Sequence, residues 1–139
     1  KKTAVEDAMA LHGAAFDDPF EVLRCLGGHE LSAITGAVLA ARIARVPVLL
    51  DGYACTAAAA ILNRIESTAL DHCLVGHLSA EPGHRRLLEQ LGQTPLLDLE
   101  MRLGEGTGAT VALGVLRAAI SCHIGMATFA EARVDGPAG

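Results

Sequence analysis

A carboxylate inside a glycine-rich turn, in segment 104–108 (GEGTG), is the feature of this sequence with the clearest chemical potential. Glycines let the backbone approach a ligand and expose its N–H groups. A carboxylate would repel a bound phosphate, so Glu105 suits a base beside an apolar ligand better. The segment lacks the Lys and Ser/Thr of a P-loop and does not match the dinucleotide fingerprint. The alternative is an ordinary turn whose Glu105 is solvated.

Polar residues also follow two predicted strands. Ser79 begins segment 79–84 (SAEPGH), between a strand and a helix, where free N–H groups and the helix dipole favour a phosphate. The alternative is that Ser79 and Glu81 only cap the helix. Asp51 and Gly52 end another predicted strand, and they could face a ligand or simply form a turn.

Three residues could in principle bind a metal ion, namely His77, Glu81 and His84. Their spacing is not that of H-E-x-x-H, and the Pro-Gly break at 82–83 spoils a single helical face. Structural or solvated histidines are therefore favoured over metal ligands, and we expect no metal. A Ser/His/Asp or Cys/His nucleophile arrangement does not stand out either.

The composition indicates a globular chain. Of 139 residues, 51% are hydrophobic and 19% charged, which excludes disorder and suits one domain or part of a larger one. Aromatic residues make up only 3%, so the core must use Ala, Leu, Ile and Val, with helices buried on most sides. A net charge of −5 with scattered basic residues argues against nucleic acid as a partner.

The same composition predicts a soluble, cytoplasmic protein. The longest uncharged run, 118–130, is shorter than the roughly 20 apolar residues of a membrane span, and the chain has no signal-like start. We therefore expect no membrane association. The four cysteines are widely spaced among apolar neighbours, which is typical of reduced, buried thiols.

Helices and strands alternate along the chain. Periodicity predicts helices over 3–12, 19–26, 29–45, 54–64, 84–91, 109–122 and 126–132, and strands over 46–50, 73–78 and 96–99. This order predicts an α/β fold, Rossmann-like and helix-rich, with a parallel sheet flanked by helices. Ligands bind beyond the carboxyl ends of such strands, which puts Asp51, Gly52, Ser79 and segment 104–108 on one side.

Six segments in series resemble one family, the nicotinate-nucleotide:dimethylbenzimidazole phosphoribosyltransferases of cobalamin synthesis. They are 17–23 (DDPFEVL), 27–30 (GGHE), 47–53 (PVLLDGY), 79–84 (SAEPGH), 102–109 (RLGEGTGA) and 126–132 (MATFAEA). The resemblance covers residues 1–134, and we expect 135–139 to be a loose tail. Family members are longer, and a start at Lys1 without Met suggests the C-terminal portion of such a protein. His29 and Cys55 depart from the family's pattern.

The resemblance implies a reaction and its residues. A base nitrogen of 5,6-dimethylbenzimidazole attacks the anomeric carbon of nicotinate mononucleotide, which gives α-ribazole 5′-phosphate and nicotinate. Glu105 matches the catalytic base. The matching substrate-binding residues are Leu103 in the pocket for the base, Gly104 and Gly106 beside Glu105, Ser79 and Lys1 at the phosphate, and Asp51 and Gly52 near the ribose phosphate.

The resemblance also implies a homodimer and no metal or redox cofactor. Two other hypotheses stay open. One is a non-catalytic fragment that keeps the fold and the dimer surface but binds nucleotide incompletely. The other is an unrelated metal-dependent hydrolase that uses His77, Glu81 and His84.

Overall fold

The computed structural model describes residues 2–134 and contains a three-stranded parallel sheet with helices around it. The predicted tail 135–139 and Lys1 lie outside these residues. In chain order the elements are α1 (Lys2–His12), a 3₁₀ turn (Gly13–Ala15), α2 (Pro19–Val22), a π-helical turn (Leu23–Gly27), α3 (Gly28–Ile43), β1 (Val48–Leu50), α4 (Tyr53–Ile65), β2 (Cys73–His77), α5 (Pro82–Leu91), β3 (Pro95–Leu97), α6 (Thr107–Gly125) and α7 (Phe129–Ala132). The predicted α/β fold with a parallel, helix-flanked sheet is confirmed.

The strand register decides which residues meet at the carboxyl edge of the sheet. The strand order is β1-β2-β3, with Leu50 paired to Val75 and His77 paired to Leu97. Because parallel strands run in register, the residues just after Leu50 come beside the last residues of β2. Asp51 and Gly52 therefore lie next to His77.

The core joins the sheet to α3, α4 and α5. Its buried side chains include Val38, Leu50, Leu62, Val75 and Leu88. Small residues bring the helices close together, since Ala58 and Ala59 of α4 are 1% and 0% exposed. The predicted core of small aliphatic residues is thus present in the part of the chain that the structure describes.

Burial of the helices is much lower than the sequence predicted. α3 buries only Thr35 and Val38, and α6 buries only Gly108 and Ala112. The expectation of many helices buried on most sides is therefore wrong for α3 and α6 within residues 2–134. The apolar content of a helix does not say whether a neighbouring element covers it, so composition could not reveal this.

Helix α6 also changes the expectation about membrane spans. By length and composition it is long and apolar enough to cross a bilayer, whereas the sequence analysis found no such segment. The difference arises because Arg117 interrupts the uncharged run without making the helix polar on average. The amino-terminal part of α6 packs on β2, where Gly108 lies against His77 and Ala109 against Gly76, and Ala112 is buried.

Two helix starts are explained by caps. Asp18 accepts a hydrogen bond from the backbone N–H of Phe20 at 2.8 Å, which confirms the predicted start of α2. Thr128 and Glu131 form a capping box, so α7 begins at Phe129, three residues after the predicted start.

The cysteines are less buried than predicted. Cys73 is buried, Cys25 and Cys55 are half-buried, and Cys122 is exposed. All four are free thiols, and burial raises the pKa of the Cys73 thiol to about 11, which keeps it protonated and unreactive.

Candidate functional site

A cavity of about 330 Å³ opens where β1 and β2 end and the loop before α6 begins. We call it the strand-end cavity. It lies at the edge where parallel α/β sheets bind ligands. Its lining includes six residues that the sequence analysis selected: Asp51, Gly52, Ser79, Gly104, Glu105 and Gly106.

The loop that carries Glu105 has an unusual backbone. Three successive residues have positive φ, namely Gly104 at 81°, Glu105 at 54° and Gly106 at 76°. The amide and the hydroxyl of Thr107 both donate to the carbonyl oxygen of Gly104, at 3.1 and 2.8 Å, and close the turn. A left-handed conformation costs a residue such as Glu roughly 1–2 kcal/mol, and such strain clusters at functional sites. The turn therefore holds Glu105 on the cavity at a cost in stability.

Asp51 fixes this loop from the end of β1. Its carboxylate accepts the backbone N–H of Gly106 at 3.2 Å and that of Ala109 at 2.8 Å. α6 starts after Gly106, which has no side chain to cap it, so Asp51 caps the helix from another element. A negative charge at the positive end of the helix dipole adds to this. Asp51 is therefore more than a plain turn residue, because each of its carboxylate oxygens accepts a hydrogen bond that holds the loop.

His77, the last residue of β2, forms a wall of the cavity. It is 2% exposed, and its ring occupies the place that a side chain on Gly108 would need. A Cβ on Gly52 would also lie 3.0 Å from its Nε2. Its Nδ1 is buried and has no hydrogen-bond partner among the described residues. From the sequence, a structural or solvated histidine was favoured over a metal ligand at His77, and the register of β1 and β2 places it beside Gly52.

Ser79 lies just beyond β2 and is 8% exposed. Its hydroxyl oxygen accepts the backbone N–H of Glu81 at 3.3 Å, which leaves the hydroxyl proton free to turn toward a ligand. Glu81 is the residue before α5, but its side chain makes no capping bond. The interpretation of Glu81 as a helix cap is therefore wrong.

Arg102 is a residue of the cavity lining that sequence reasoning missed. Its guanidinium donates to the Glu81 carboxylate at 3.0 Å, and the two side chains are 70% and 43% exposed. Such a solvated pair contributes little to stability. The Arg102–Glu81 pair nevertheless connects the Ser79 loop to the segment that leads to Glu105. A hydrogen bond from the Ala80 amide to the Met101 carbonyl, at 3.0 Å, makes the same connection. The signal in the sequence was its position two residues before segment 104–108.

The three residues considered as metal ligands do not form a metal site. Within residues 2–134, groups of three or more His, Cys, Asp or Glu side chains arranged to hold an ion are absent. Both ring nitrogens of His84 are engaged, Nδ1 by the Ser79 amide at 2.9 Å and Nε2 by the Thr56 hydroxyl at 3.1 Å. His84 therefore has no nitrogen left for a metal, which removes the basis of the hydrolase hypothesis.

One predicted site residue does not line the cavity, and another is not among the described residues. The side chain of Leu103 is 75% exposed, and Leu103 does not belong to the cavity lining. Lys1 lies outside the described residues. Their predicted roles at the base pocket and at the phosphate remain predictions.

A parallel α/β sheet with a ligand-sized cavity at the carboxyl ends of its strands defines a class of proteins that bind small molecules at that edge. The particular family follows from comparison with known proteins. A family model described as Phosphoribosyltransferase (DBI_PRT) matches residues 1–134. The chain belongs to this family of phosphoribosyltransferases.

Relatives and solved structures agree with this assignment. The chain is 63% identical over 136 residues to the nicotinate-nucleotide–dimethylbenzimidazole phosphoribosyltransferase of Rhizobium etli, covering 98% of this chain and 40% of the relative. It is 58% identical over 139 residues to the protein of the same name from Methylocella silvestris, covering 100% of this chain and 41% of that protein. The crystal structure of the protein with this name from Thermus thermophilus superposes with a TM-score of 0.79 and 49% identity, over 86% of this chain and 36% of that one.

The chain therefore spans about 40% of the length of the relatives that it matches. The resemblance inferred from the six sequence segments is confirmed.

Proposed function

We propose that the protein containing this chain is a glycosyltransferase of cobalamin biosynthesis. It transfers the phosphoribosyl group of nicotinate mononucleotide to 5,6-dimethylbenzimidazole and gives α-ribazole 5′-phosphate and nicotinate. The chain is the C-terminal portion of that enzyme, with residues 1–134 forming part of its catalytic domain. The names of relatives that are about 60% identical support this substrate pair.

The observation that carries the proposal is the position of Glu105. Glu105 is an exposed residue of the cavity lining, in a strained turn whose backbone the buried Asp51 holds. A glutamate kept at a cavity by a strained backbone suits a general base, since a base must lie within hydrogen-bond reach of the proton that it takes.

The reaction transfers one proton to Glu105, forms one bond at the anomeric carbon and breaks another. One ring nitrogen of dimethylbenzimidazole attacks the anomeric carbon, while Glu105 removes the N–H proton from the other nitrogen. The bond from the anomeric carbon to nicotinate breaks, and its electron pair leaves with the pyridine nitrogen. The new bond forms on the opposite face, so the configuration at the anomeric carbon is inverted.

Ser79 binds the nucleotide phosphate in this proposal. Its hydroxyl proton is free to donate, because its oxygen accepts from Glu81, and it lies close to the start of α5. Lys1 adds a point charge at the same phosphate. Gly104, Gly106 and Gly52 let the backbone approach the substrates, and Asp51 acts there through the loop that it holds. Leu103 contacts the apolar face of the base.

The remaining properties follow from the composition of the sequence and from the family resemblance. The enzyme is a cytoplasmic homodimer that uses no metal or redox cofactor and binds neither nucleic acid nor membranes. Its partners are therefore its two substrates and a second copy of itself.

One observation favours the second candidate, a non-catalytic portion that keeps the fold but binds substrates incompletely. Leu103, the proposed contact to the base, is 75% exposed. If the chain alone lacks part of the pocket, it should form α-ribazole phosphate far more slowly than the full-length protein. Equal turnover by the isolated chain and the full-length protein would eliminate this candidate.

The test of the proposed enzyme function is Glu105→Gln in the full-length protein. Glutamine keeps the size but cannot take the proton, so kcat should fall about 10²–10⁴-fold while nucleotide binding changes little. Glu100→Gln is the matched control, because Glu100 is an exposed glutamate with a φ of 55° that is not part of the cavity lining. Unchanged kcat in Glu105→Gln would remove Glu105 from the mechanism.

A further inference from the structure

The two strand ends at Gly52 and Ser79 are joined through a buried histidine that the proposed mechanism does not use. His84 lies in the first turn of α5 and is 0% exposed. Its Nδ1 lies 2.9 Å from the backbone nitrogen of Ser79, and its Nε2 lies 3.1 Å from Oγ1 of Thr56. Thr56 belongs to the first turn of α4, which begins directly after Gly52. One side chain thus contacts the elements that follow both strands.

The direction of each hydrogen bond in this group is determined. The backbone N–H of Ser79 can only donate, so Nδ1 of His84 accepts and carries no proton. The ring proton is then on Nε2, which donates to the hydroxyl oxygen of Thr56. The Thr56 hydroxyl donates in turn to the carbonyl oxygen of Gly52 at 2.9 Å. A continuous chain of donors and acceptors therefore runs from Ser79 to Gly52.

The surroundings of His84 favour its uncharged form. Burial lowers the pKa of the His84 imidazole, and the neighbouring His77 of β2 lowers it further. From α4, the ring of Tyr53 lies 5.9 Å away between centroids, and on α5 the guanidinium of Arg85 turns to Asp98 at 3.6 Å. A second ring proton, on Nδ1, would oppose the N–H of Ser79 and break the chain of hydrogen bonds.

We propose that His84, as its Nε2–H tautomer, is a positioning residue that fixes Ser79 relative to Gly52 and so sets where the nucleotide phosphate is held. Ser79 and Gly52 both belong to the lining of the strand-end cavity, and His84 does not. His84 therefore acts on the substrate through them. The inference rests on the proposed function, because it assigns the phosphate to Ser79.

Thr56→Val in the full-length protein tests this role. Valine keeps the shape of threonine but cannot accept from Nε2–H, so the chain of hydrogen bonds is broken at its centre. We expect the KM for nicotinate mononucleotide to rise about tenfold, which corresponds to about 1.4 kcal/mol, while the KM for dimethylbenzimidazole stays within about twofold. Thr56→Ser keeps the hydroxyl and should restore most of the wild-type KM.

Thr35→Val is the matched control for loss of a buried threonine hydroxyl. Thr35 is 3% exposed, and its hydroxyl bonds the carbonyl oxygens of Leu31 and Ala58 at 2.8 and 2.9 Å, away from the cavity. This variant should lose stability as Thr56→Val does, but keep the KM for the nucleotide. A wild-type KM in Thr56→Val, or an equal rise for both substrates, would overturn the proposal.

A second measurement does not depend on turnover. Nitrogen NMR of the wild-type protein labelled at histidine should find His84 with a proton on Nε2 and none on Nδ1. A proton on Nδ1 would overturn the inference. If the wild-type protein forms no α-ribazole phosphate, the proposed function fails. The inference is then judged by this spectrum and by calorimetry of nicotinate mononucleotide with the Thr56→Val and Thr35→Val variants.

Discussion

The ring of His77 lies against the backbone of Gly108, where a side chain would have no room. This contact joins the end of β2 to the first turn of α6. It makes glycine necessary at position 108 for steric reasons, even though glycine is a poor residue inside a helix.

Gly108→Ala should therefore destabilise the protein strongly. The added methyl must displace a buried ring, and overpacking of this kind costs about 1–3 kcal/mol. Gly114→Ala is the control, because Gly114 lies in the same helix and has no atom within 4 Å of the place that a Cβ would take. It should gain about 1 kcal/mol from helix propensity. Urea unfolding of both variants measures the difference, and equal stabilities would contradict the close approach of His77.

Asp51→Asn should loosen the loop that holds Glu105. Asparagine keeps one oxygen acceptor but loses the second one and the charge, at a cost of about 1 kcal/mol in unfolding free energy. Because the loop then moves, kcat should fall by about 10- to 100-fold. Asp71→Asn, at an exposed aspartate, is the control. If Asp51→Asn keeps wild-type kcat, the capping contact does not position the proposed base.

Ser79→Ala should weaken the binding of nicotinate mononucleotide. One hydrogen bond to a charged group is worth roughly 1.5–3 kcal/mol, and dimethylbenzimidazole binding should not change. Calorimetry with each substrate separates the two effects. Ser32→Ala is the control, since the Ser32 hydroxyl is exposed and donates to the Gly28 carbonyl at 2.7 Å on α3. Equal nucleotide affinity in the wild-type protein and Ser79→Ala would refute the phosphate assignment.

Stability should fall on acidification partly because of His84. Burial and the neighbouring His77 lower the pKa of His84 in the folded state, so the unfolded chain binds a proton at a pH where the folded chain does not. The contribution of His84 to the unfolding free energy is complete above pH 6.5, the ordinary pKa of histidine. It is lost as the pH falls from there toward the lower pKa of His84 in the folded state. Unfolding free energies measured from about pH 5 to 8 should show this slope.

The variant His84→Gln should reduce the dependence of the unfolding free energy on pH just below the ordinary histidine pKa of 6.5. His123→Gln, in an exposed part of α6, is the control and should not flatten it. A slope that is the same in the wild-type protein and in His84→Gln would show that His84 does not stay uncharged in the folded state.

Glu105→Gly should make the protein more stable and inactive. Glycine adopts the φ of 54° without the strain that glutamate bears, and the gain should be about 1 kcal/mol. Glu89→Gly has the opposite expectation, a loss of about 1 kcal/mol, because Glu89 is exposed inside α5. Thermal unfolding measures both. A destabilised Glu105→Gly variant would mean that the fold itself needs the glutamate.

Local patterns in the sequence predicted the elements and half of the residues that line the cavity. Short apolar runs that end in Asp51 or lead to Ser79 identify buried parallel strands and their ligand-facing ends. The glycines on either side of Glu105 predicted a turn, and the positive φ values confirm it.

Relationships between distant residues could not be predicted in this way. The cap that Asp51 provides for α6 and the contact of His77 with Gly108 depend on how strands and helix are placed in space. The exposure of Leu103 depends on which elements cover it, and a single sequence does not contain that information. Helix ends differed for a related reason, since the cap from Asp51 lets α6 begin at Thr107.

The bond between Asp51 and Gly106 also has a consequence for the order of folding. These residues are 55 positions apart, and α4, β2, α5 and β3 lie between them. Closing a loop of that length is entropically unfavourable until the intervening elements have paired. We therefore expect the loop with Glu105 to acquire its shape after the sheet is assembled. During refolding, recovery of secondary structure should precede recovery of the arrangement around Glu105, so an incompletely folded chain carries helices and strands but no proposed base in position.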